Sequence, residues 1–168
     1  MDGSIHISSR VDEGTCVIIS LPFNIVKKVE SKPQDSMPKL EDFAGCRILV
    51  AEDNNINMEI ISELLTMNGL EVLPASNGKE AVNLFESSEE GSISMVLMDM
   101  QMPEMDGVSF LKFLRESHIA LARKLPVVMV TARSDADQFL SEGFSGILHK
   151  PFSLAQLSFC LSGIWNEE

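Results

Sequence analysis

Residues 95–99 read MVLMD, four apolar residues followed by a single acid, Asp99. An uninterrupted apolar run of this length is typical of a strand buried on both faces of a parallel sheet. A similar run, RILVA at 47–51, ends in the acids Glu52 and Asp53. The two runs therefore predict buried strands that each place a carboxylate at their carboxyl end.

The sequence on both sides of these runs alternates strand-like with helix-like segments. Further strands are predicted at 71–75, 126–130 and 146–149, and helices at 55–68, 78–87, 107–117, 135–142 and 153–164. The last helix would have Leu154, Leu157, Leu161 and Ile164 on one face. Regular alternation predicts an α/β fold of five β-α units, a doubly wound parallel sheet covered on both faces.

In a sheet of this kind the functional site lies at the carboxyl ends of the strands. The groups expected there are Glu52, Asp53, Asp99, Thr131 and Lys150. Three neighbouring acids repel one another unless a cation neutralises them, which favours a hard divalent ion, Mg²⁺ or Mn²⁺. With such an ion bound, one carboxylate can attack a phosphorus atom and form an acyl phosphate, while hydroxyl and ammonium groups bind the phosphoryl oxygens.

Four strings in this region, LVAEDNNINMEI, VLMDMQMPEMDG, MVTAR and HKPF, resemble the receiver domains of response regulators, especially those of bacterial-type hybrid histidine kinases. The resemblance covers about residues 46–164 and implies a flavodoxin-like (βα)5 receiver domain at 45–168 with strand order 2-1-3-4-5. It implies that Asp99 is the phosphoacceptor and that Thr131 and Lys150 hold the phosphoryl group. It also implies metal ligation by Asp53, by Glu52 through water, and by the backbone carbonyl of Gln101.

Two features depart from the family pattern. Ile147 stands where receivers usually have the Tyr or Phe that acts as a switch with the threonine, which puts output by aromatic rotation in doubt. Thr131 and Lys150 are 19 positions apart, about one helical turn fewer than is usual, so the fourth helix is predicted to be short. Ala132 and Arg133, together with Gln101, are expected to tune the lifetime of the phosphoaspartate.

The first 26 residues predict two strands, at 3–9 and 15–21, joined by a turn. This segment resembles the closing strands of a histidine-kinase ATP-binding domain, and a linker is predicted at 27–44, where charged residues, serines and two prolines occur together. The chain carries no ATP-binding motif. We therefore expect a self-catalysing phosphoacceptor taken from a hybrid histidine kinase.

Charge narrows the range of partners. The net charge is −12, and the whole excess lies after residue 40, where 8 basic and 20 acidic side chains occur. Direct binding of nucleic acid needs clustered Lys and Arg and is not expected. The resemblance implies two partners, a histidine-kinase dimerisation and phosphoacceptor domain and a histidine phosphotransfer domain. The edges of the hairpin leave homodimerisation open.

Cysteine usage and hydropathy bear on the compartment. The three cysteines, Cys16, Cys46 and Cys160, have no metal-type spacing and are expected to be reduced and mostly buried. No apolar run is long enough to span a bilayer and the first residues do not form a signal peptide, so a cytoplasmic domain is predicted. An inner-membrane anchor of the parent protein would have to lie outside this chain.

Two alternatives remain open. A haloacid-dehalogenase-type phosphatase also phosphorylates an aspartate at a strand end, but it needs a second aspartate two positions later, where Gln101 stands. A degenerate receiver could serve as a phosphate-independent docking module, although the full set of acids, threonine and lysine argues against that alternative. The sequence lacks the glycine motifs that dinucleotide-binding and P-loop proteins need, so these functions are not expected.

Overall fold

The computed structural model describes residues 3–10, 14–20, 22 and 43–165. The chain divides into two compact units, Met1–Ser36 and Met37–Glu168. The predicted linker lies outside the described residues except at its last two positions, and the tip of the predicted hairpin turn, 11–13, also lies outside them.

The first unit contains an antiparallel hairpin of β1 (Ser4–Arg10) and β2 (Gly14–Ser20), as predicted. Its register pairs Ile5 with Ile19 and Ile7 with Val17, so these four aliphatic side chains share one face. All four are more than half exposed. One prediction is wrong here: Cys16 lies in β2 and is exposed rather than buried, whereas Cys46 and Cys160 pack at the edge of the core.

The second unit contains a five-stranded parallel sheet in the order β4-β3-β5-β6-β7. Its strands are β3 (Arg47–Ala51), β4 (Glu71–Ala75), β5 (Met95–Asp99), β6 (Val127–Thr131) and β7 (Gly146–His149). Its helices are α1 (Asn55–Met67), α2 (Gly78–Ser87), α3 (Gly107–Glu116), α4 (Ala120–Lys124) and α5 (Leu154–Trp165). When the strands of this sheet alone are numbered, from β3 as the first to β7 as the fifth, the order is 2-1-3-4-5. The predicted flavodoxin-like fold and strand order are therefore confirmed.

Alternate residues of the strands enter two separate apolar layers. Ile48, Val50 and Leu97 pack with α1 and α5, whereas Leu49 and Met98 pack with α2 and α3 on the opposite face. Strands buried on both faces need apolar residues at every position, which explains the continuous apolar runs in the sequence. Among the described residues, no helix combines the length and the hydropathy needed to span a membrane.

The connections near β6 differ from the prediction. The predicted fourth helix, 135–142, forms a 3₁₀ helix at Ala136–Glu142 that ends at Gly143 with φ of 105°. A 3₁₀ helix rises about 2.0 Å per residue against about 1.5 Å in an α-helix, so a short segment can still link β6 to β7. The five-residue helix α4 was not predicted, because a helix this short carries no readable apolar period.

The predicted apolar face of the last helix is only partly correct. Leu157 and Leu161 are fully buried, but Leu154 in the first turn of α5 is 41% exposed. A face defined by spacing alone does not show where a helix extends beyond the sheet that it covers.

Glycine is required at the start of α2 for steric reasons. A Cβ at Gly78 would lie 2.6 Å from the backbone oxygen of Met105, which cannot move without shifting the loop after β5. In contrast, a Cβ at Gly163 in α5 would have no neighbour within 4 Å.

We therefore expect Gly78→Ala to lower the free energy of unfolding by about 1–3 kcal/mol through overpacking. Gly163→Ala, the matched control, should leave it unchanged or raise it by about 0.5–1 kcal/mol, because alanine favours a helix. Urea denaturation of both variants measures the difference. Equal free energies for the two variants would contradict the steric argument.

Candidate functional site

The predicted site residues converge at one edge of the sheet. Glu52 and Asp53 directly follow β3, Asp99 ends β5, Thr131 ends β6 and Lys150 follows β7. These four strands lie side by side and run in the same direction, so their carboxyl ends meet. The fold alone thus brings residues that are up to 98 positions apart within contact distance.

The three acids form a compact cluster. One carboxylate oxygen from each of Glu52, Asp53 and Asp99 lies within 4.8 Å of the others. Glu52 is 2% exposed and Asp99 8%, whereas Asp53 faces solvent. Two buried carboxylates therefore meet one open carboxylate at the mouth of the site.

Lys150 supplies the positive charge in this cluster. Its Nζ donates to Glu52 Oε2 at 2.5 Å and to Asp99 Oδ2 at 2.6 Å. Burial acts to lower the pKa of Lys150, but hydrogen bonds and charge attraction from Asp99 and Glu52 outweigh it, so the pKa is raised. The ammonium group stays charged and joins the two buried acids.

Glu52 is fixed from the side of α1. Its Oε1 accepts from the Asn57 side chain at 2.9 Å and from the backbone N–H of Asn54 at 3.4 Å. Asn54 caps the helix by accepting from the N–H groups of Ile56 and Asn57. Asn57 was missed by the sequence reasoning. The register of a helix capped at Asn54 would have identified it, since its third residue faces back toward the strand end.

Asp99 is fixed by the loop that follows β5. Its Oδ1 accepts from the backbone N–H of Gln101 at 3.1 Å, and the Gln101 side chain is exposed. In this loop Glu104 has a φ of 66°, so the left-handed position belongs to a glutamate and not to a glycine. Gly107 serves a different purpose, because a Cβ there would lie 2.9 Å from the Asp99 carbonyl oxygen.

Thr131 is buried and connected to two other candidate residues. Its hydroxyl oxygen accepts from the backbone N–H of Arg133 at 3.1 Å, and its carbonyl accepts from the backbone N–H of Lys150 at 2.8 Å. The hydroxyl hydrogen is not used in the bond from Arg133. Thr131 can therefore donate that hydrogen to a group entering the site.

The three residues expected to switch or tune the site have different settings. Ala132 is exposed, and Ile147 is half-buried against the core layer of α2 and α3. The Arg133 guanidinium forms two hydrogen bonds with Asp135, at 2.9 and 2.7 Å, and lies 5.3 Å from the ring centre of Phe139. Arg133 thus binds the start of the 3₁₀ segment.

The donor set suits a hard divalent cation. Carboxylate oxygens are the ligands that Mg²⁺ prefers, and an open position such as Asp53 leaves room for the waters that Mg²⁺ retains. Three acids against one ammonium also leave net negative charge at the site. The residues therefore fit Mg²⁺, or the similar ion Mn²⁺.

Comparison with known proteins agrees with the fold. The family model described as the response regulator receiver domain matches residues 48–161. Hybrid signal transduction histidine kinase I of Dictyostelium discoideum is 34% identical over 112 residues, which cover 64% of this chain and 6% of that protein. The polar-differentiation response regulator DivK of Brucella anthropi is 31% identical over 110 residues, which cover 64% of this chain and 85% of DivK.

A solved structure is also similar. The receiver domain of a sensor histidine kinase from Pseudomonas aeruginosa, with a magnesium ion coordinated in its active-site cleft, is 29% identical with a TM-score of 0.63. The match covers 73% of this chain and 99% of that one.

The fold is that of a flavodoxin-like domain with an acidic cluster at the strand ends. The chain belongs to the response regulator receiver family of two-component systems, which includes the receivers of hybrid histidine kinases. It spans only a small part of the curated kinases that it matches.

The Arg133–Asp135 pair gives a pH prediction. Hydrogen bonds from Arg133 are the main cause that lowers the pKa of Asp135 to about 2. A lowered pKa means that the pair stabilises the fold above about pH 4 and that this contribution is lost as the pH falls through 2.

We expect the Asp135 carboxyl, followed by carbon-detected NMR, to titrate near pH 2 in the native chain. Arg133→Ala should return it toward the ordinary value of about 3.9. Arg123→Ala removes an exposed arginine elsewhere and should leave the pKa of Asp135 unchanged. A midpoint that stays near 2 without Arg133 would contradict this account.

Proposed function

We propose that Asp99 accepts a phosphoryl group from a phosphohistidine and that the chain works as a station in a phosphorelay. The observation that carries this proposal is the buried Asp99 carboxylate, held 2.6 Å from the Lys150 ammonium and beside two further acids. An aspartate so placed is shielded from bulk water but remains open on the side of the exposed Asp53.

In the transfer, an oxygen of Asp99 forms a bond to phosphorus as the bond from phosphorus to the donor imidazole nitrogen breaks. The electron pair of the broken bond returns to the imidazole, which takes a proton from solvent. The product is an acyl phosphate on Asp99. Most of the rate gain in such reactions comes from positioning and charge stabilisation.

The chain's own residues supply that positioning. Lys150 already contacts Asp99 and can pair with a phosphoryl oxygen, and the Thr131 hydroxyl can donate to another. The backbone N–H of Gln101 orients the acceptor carboxylate. Asp53, Glu52 through water, Asp99 and the Gln101 carbonyl are the proposed ligands for Mg²⁺ or Mn²⁺, which when bound offsets negative charge on the phosphoryl oxygens.

The output step is proposed to differ from aromatic rotation, because Ile147 has no aromatic ring. A phosphoryl group adds about two negative charges beside the loop after β6. Arg133 and the 3₁₀ segment are the elements nearest to Thr131 along the chain. Changes in loop position around Ala132 and Arg133 would then carry the signal and set the phosphoaspartate lifetime.

The origin in a hybrid histidine kinase is also a proposal. It is supported by the hairpin of β1 and β2, whose aliphatic face of Ile5, Ile7, Val17 and Ile19 is the kind of surface that a larger domain buries. We propose that residues 1–26 are the closing strands of the kinase ATP-binding domain, followed by a linker at 27–44 and the receiver at 45–168. A cytoplasmic location follows from the same proposal.

The proposed partners are a kinase phosphoacceptor domain and a histidine phosphotransfer domain, and α1 is their proposed docking surface. Ile56 and Ile60 lie one turn apart on α1 and are 68% and 50% exposed. Ile60 also lines a cavity of about 500 Å³ together with Lys150 and Phe152. An apolar surface that borders the acceptor site can hold a partner helix while its phosphohistidine reaches Asp99.

Phosphorylation tests the site directly. We expect acetyl phosphate with Mg²⁺ to label the native chain and to leave Asp99→Asn unlabelled, as measured by phosphate-affinity electrophoresis. Removal of Mg²⁺ by a chelator should lower the labelling rate at least about tenfold. Asp106→Asn, which alters an exposed helix-capping acid, is the control and should be labelled normally. Labelling that persists in Asp99→Asn would refute the acceptor assignment.

Protein-to-protein transfer tests the docking surface. We expect Ile56→Asp with Ile60→Asp to slow transfer from a phosphorylated histidine phosphotransfer domain at least about tenfold, because charge at the interface disrupts apolar docking. Labelling by acetyl phosphate should be unchanged in the same variant. Met67→Asp, which alters an exposed residue at the far end of α1, should transfer normally. Equal slowing by Met67→Asp would contradict docking at this position.

A further inference from the structure

A second surface lies at the opposite end of the sheet from the acidic cluster. Two adjoining cavities of about 480 and 380 Å³ share Phe85, Glu86 and Ile119. The larger one is also lined by Ile93, just before β5, and by Pro126, just before β6. Both positions lie at the amino ends of strands, whereas Asp99 and Thr131 lie at the carboxyl ends. We call these two cavities the amino-end groove.

The floor of the amino-end groove is apolar. Phe85, Phe113 and Leu125 line it from α2, α3 and the segment before β6. Two more apolar side chains stand at its edge, Ile119 at 38% exposure and Leu121 at 52%. Solvent-exposed aliphatic groups beside an apolar floor are typical of a surface that binds a partner.

The rim of the groove is strongly acidic. Its carboxylates are Glu86, Glu89, Glu90 and Glu116, against a single lysine, Lys124. Glu89 begins a tight turn, since its carbonyl accepts from the backbone N–H of Ser92 and Gly91 has a φ of 79°. The turn fixes the backbone that carries Glu89 and Glu90 beside the apolar floor.

The wall formed by α4 is held in place by a half-buried arginine. Arg115 of α3 donates to the carbonyls of Ala122 and Leu125, at 3.4 and 3.0 Å, and to the carbonyl of Gly143 at 3.0 Å. Burial lowers the pKa of its guanidinium. Arg115 thus connects α3 to the carboxyl-terminal half of α4 and to the end of the 3₁₀ segment, which holds in place the helix that carries Leu121.

We propose that the amino-end groove binds a basic amphipathic helix of another protein. Its apolar side chains would fill the two cavities, and its Lys and Arg side chains would pair with the glutamates on the rim. A second copy of this chain is a poor occupant, because it would add like charge from a protein of net charge −12. This partner could stay bound during chemistry at Asp99, and the proposal does not depend on phosphotransfer.

The test uses the whole chain and a short synthetic helix with Leu at i, i+4 and i+7 and Lys on both flanks, labelled for fluorescence anisotropy. We expect it to bind at least about tenfold more tightly than a scrambled peptide of the same composition. A peptide with Glu in place of Lys should not bind. NMR shifts should fall on residues 85–93 and 119–126. Equal binding of the scrambled peptide, no binding, or shifts elsewhere would overturn the proposal.

Two variants locate the contact. Leu121→Asp, and separately Glu89→Lys with Glu90→Lys, should each weaken binding at least about tenfold. Glu59→Lys with Glu63→Lys makes the same charge change on exposed positions of α1 and should keep affinity within about twofold. Equal loss in both double variants would mean general attraction to an acidic protein. Self-association of the native chain in sedimentation, abolished by Leu121→Asp, would identify a second copy as the occupant. Either result would refute the proposal.

Discussion

The ammonium group of Lys150 joins two buried carboxylates that would otherwise repel each other. It contacts Glu52, which follows β3, and Asp99, which ends β5, while Lys150 itself directly follows β7, the strand at the edge of the sheet. The ion pairs therefore tie the edge strand to the centre of the fold. Removal of the ammonium group would leave two buried carboxylates without their positive partner, so structure and site depend on the same contacts.

The proposed function uses this balance of charge. Three acids and one lysine leave net negative charge that a divalent cation can neutralise. A phosphoryl group would change the partners of Lys150 and Thr131 together. The hydroxyl of Thr131 is already bonded to the backbone of Arg133, and Arg133 binds Asp135 at the start of the 3₁₀ segment. A continuous set of contacts thus leads from the site to the segment that departs most from the family pattern.

The strands and their terminal acids were predictable because a strand buried on both faces needs an apolar residue at every position. The meeting of Asp99, Thr131 and Lys150 then followed from parallel topology alone. The contacts of Arg115 and Asn57 were not predictable, since each depends on where a helix end meets a distant loop. The 3₁₀ form of Ala136–Glu142 was not predictable either, because apolar spacing predicts a helix but does not determine its hydrogen-bond pattern.

The central claim is that the phosphoryl group is carried by Asp99. Borohydride reduction of the chain after reaction with acetyl phosphate and Mg²⁺ converts an aspartyl phosphate to homoserine, which mass spectrometry of peptides can locate. The account predicts homoserine at position 99 and nowhere else among the acids of the site. Homoserine at position 53, or at an acid outside the cluster, would contradict it.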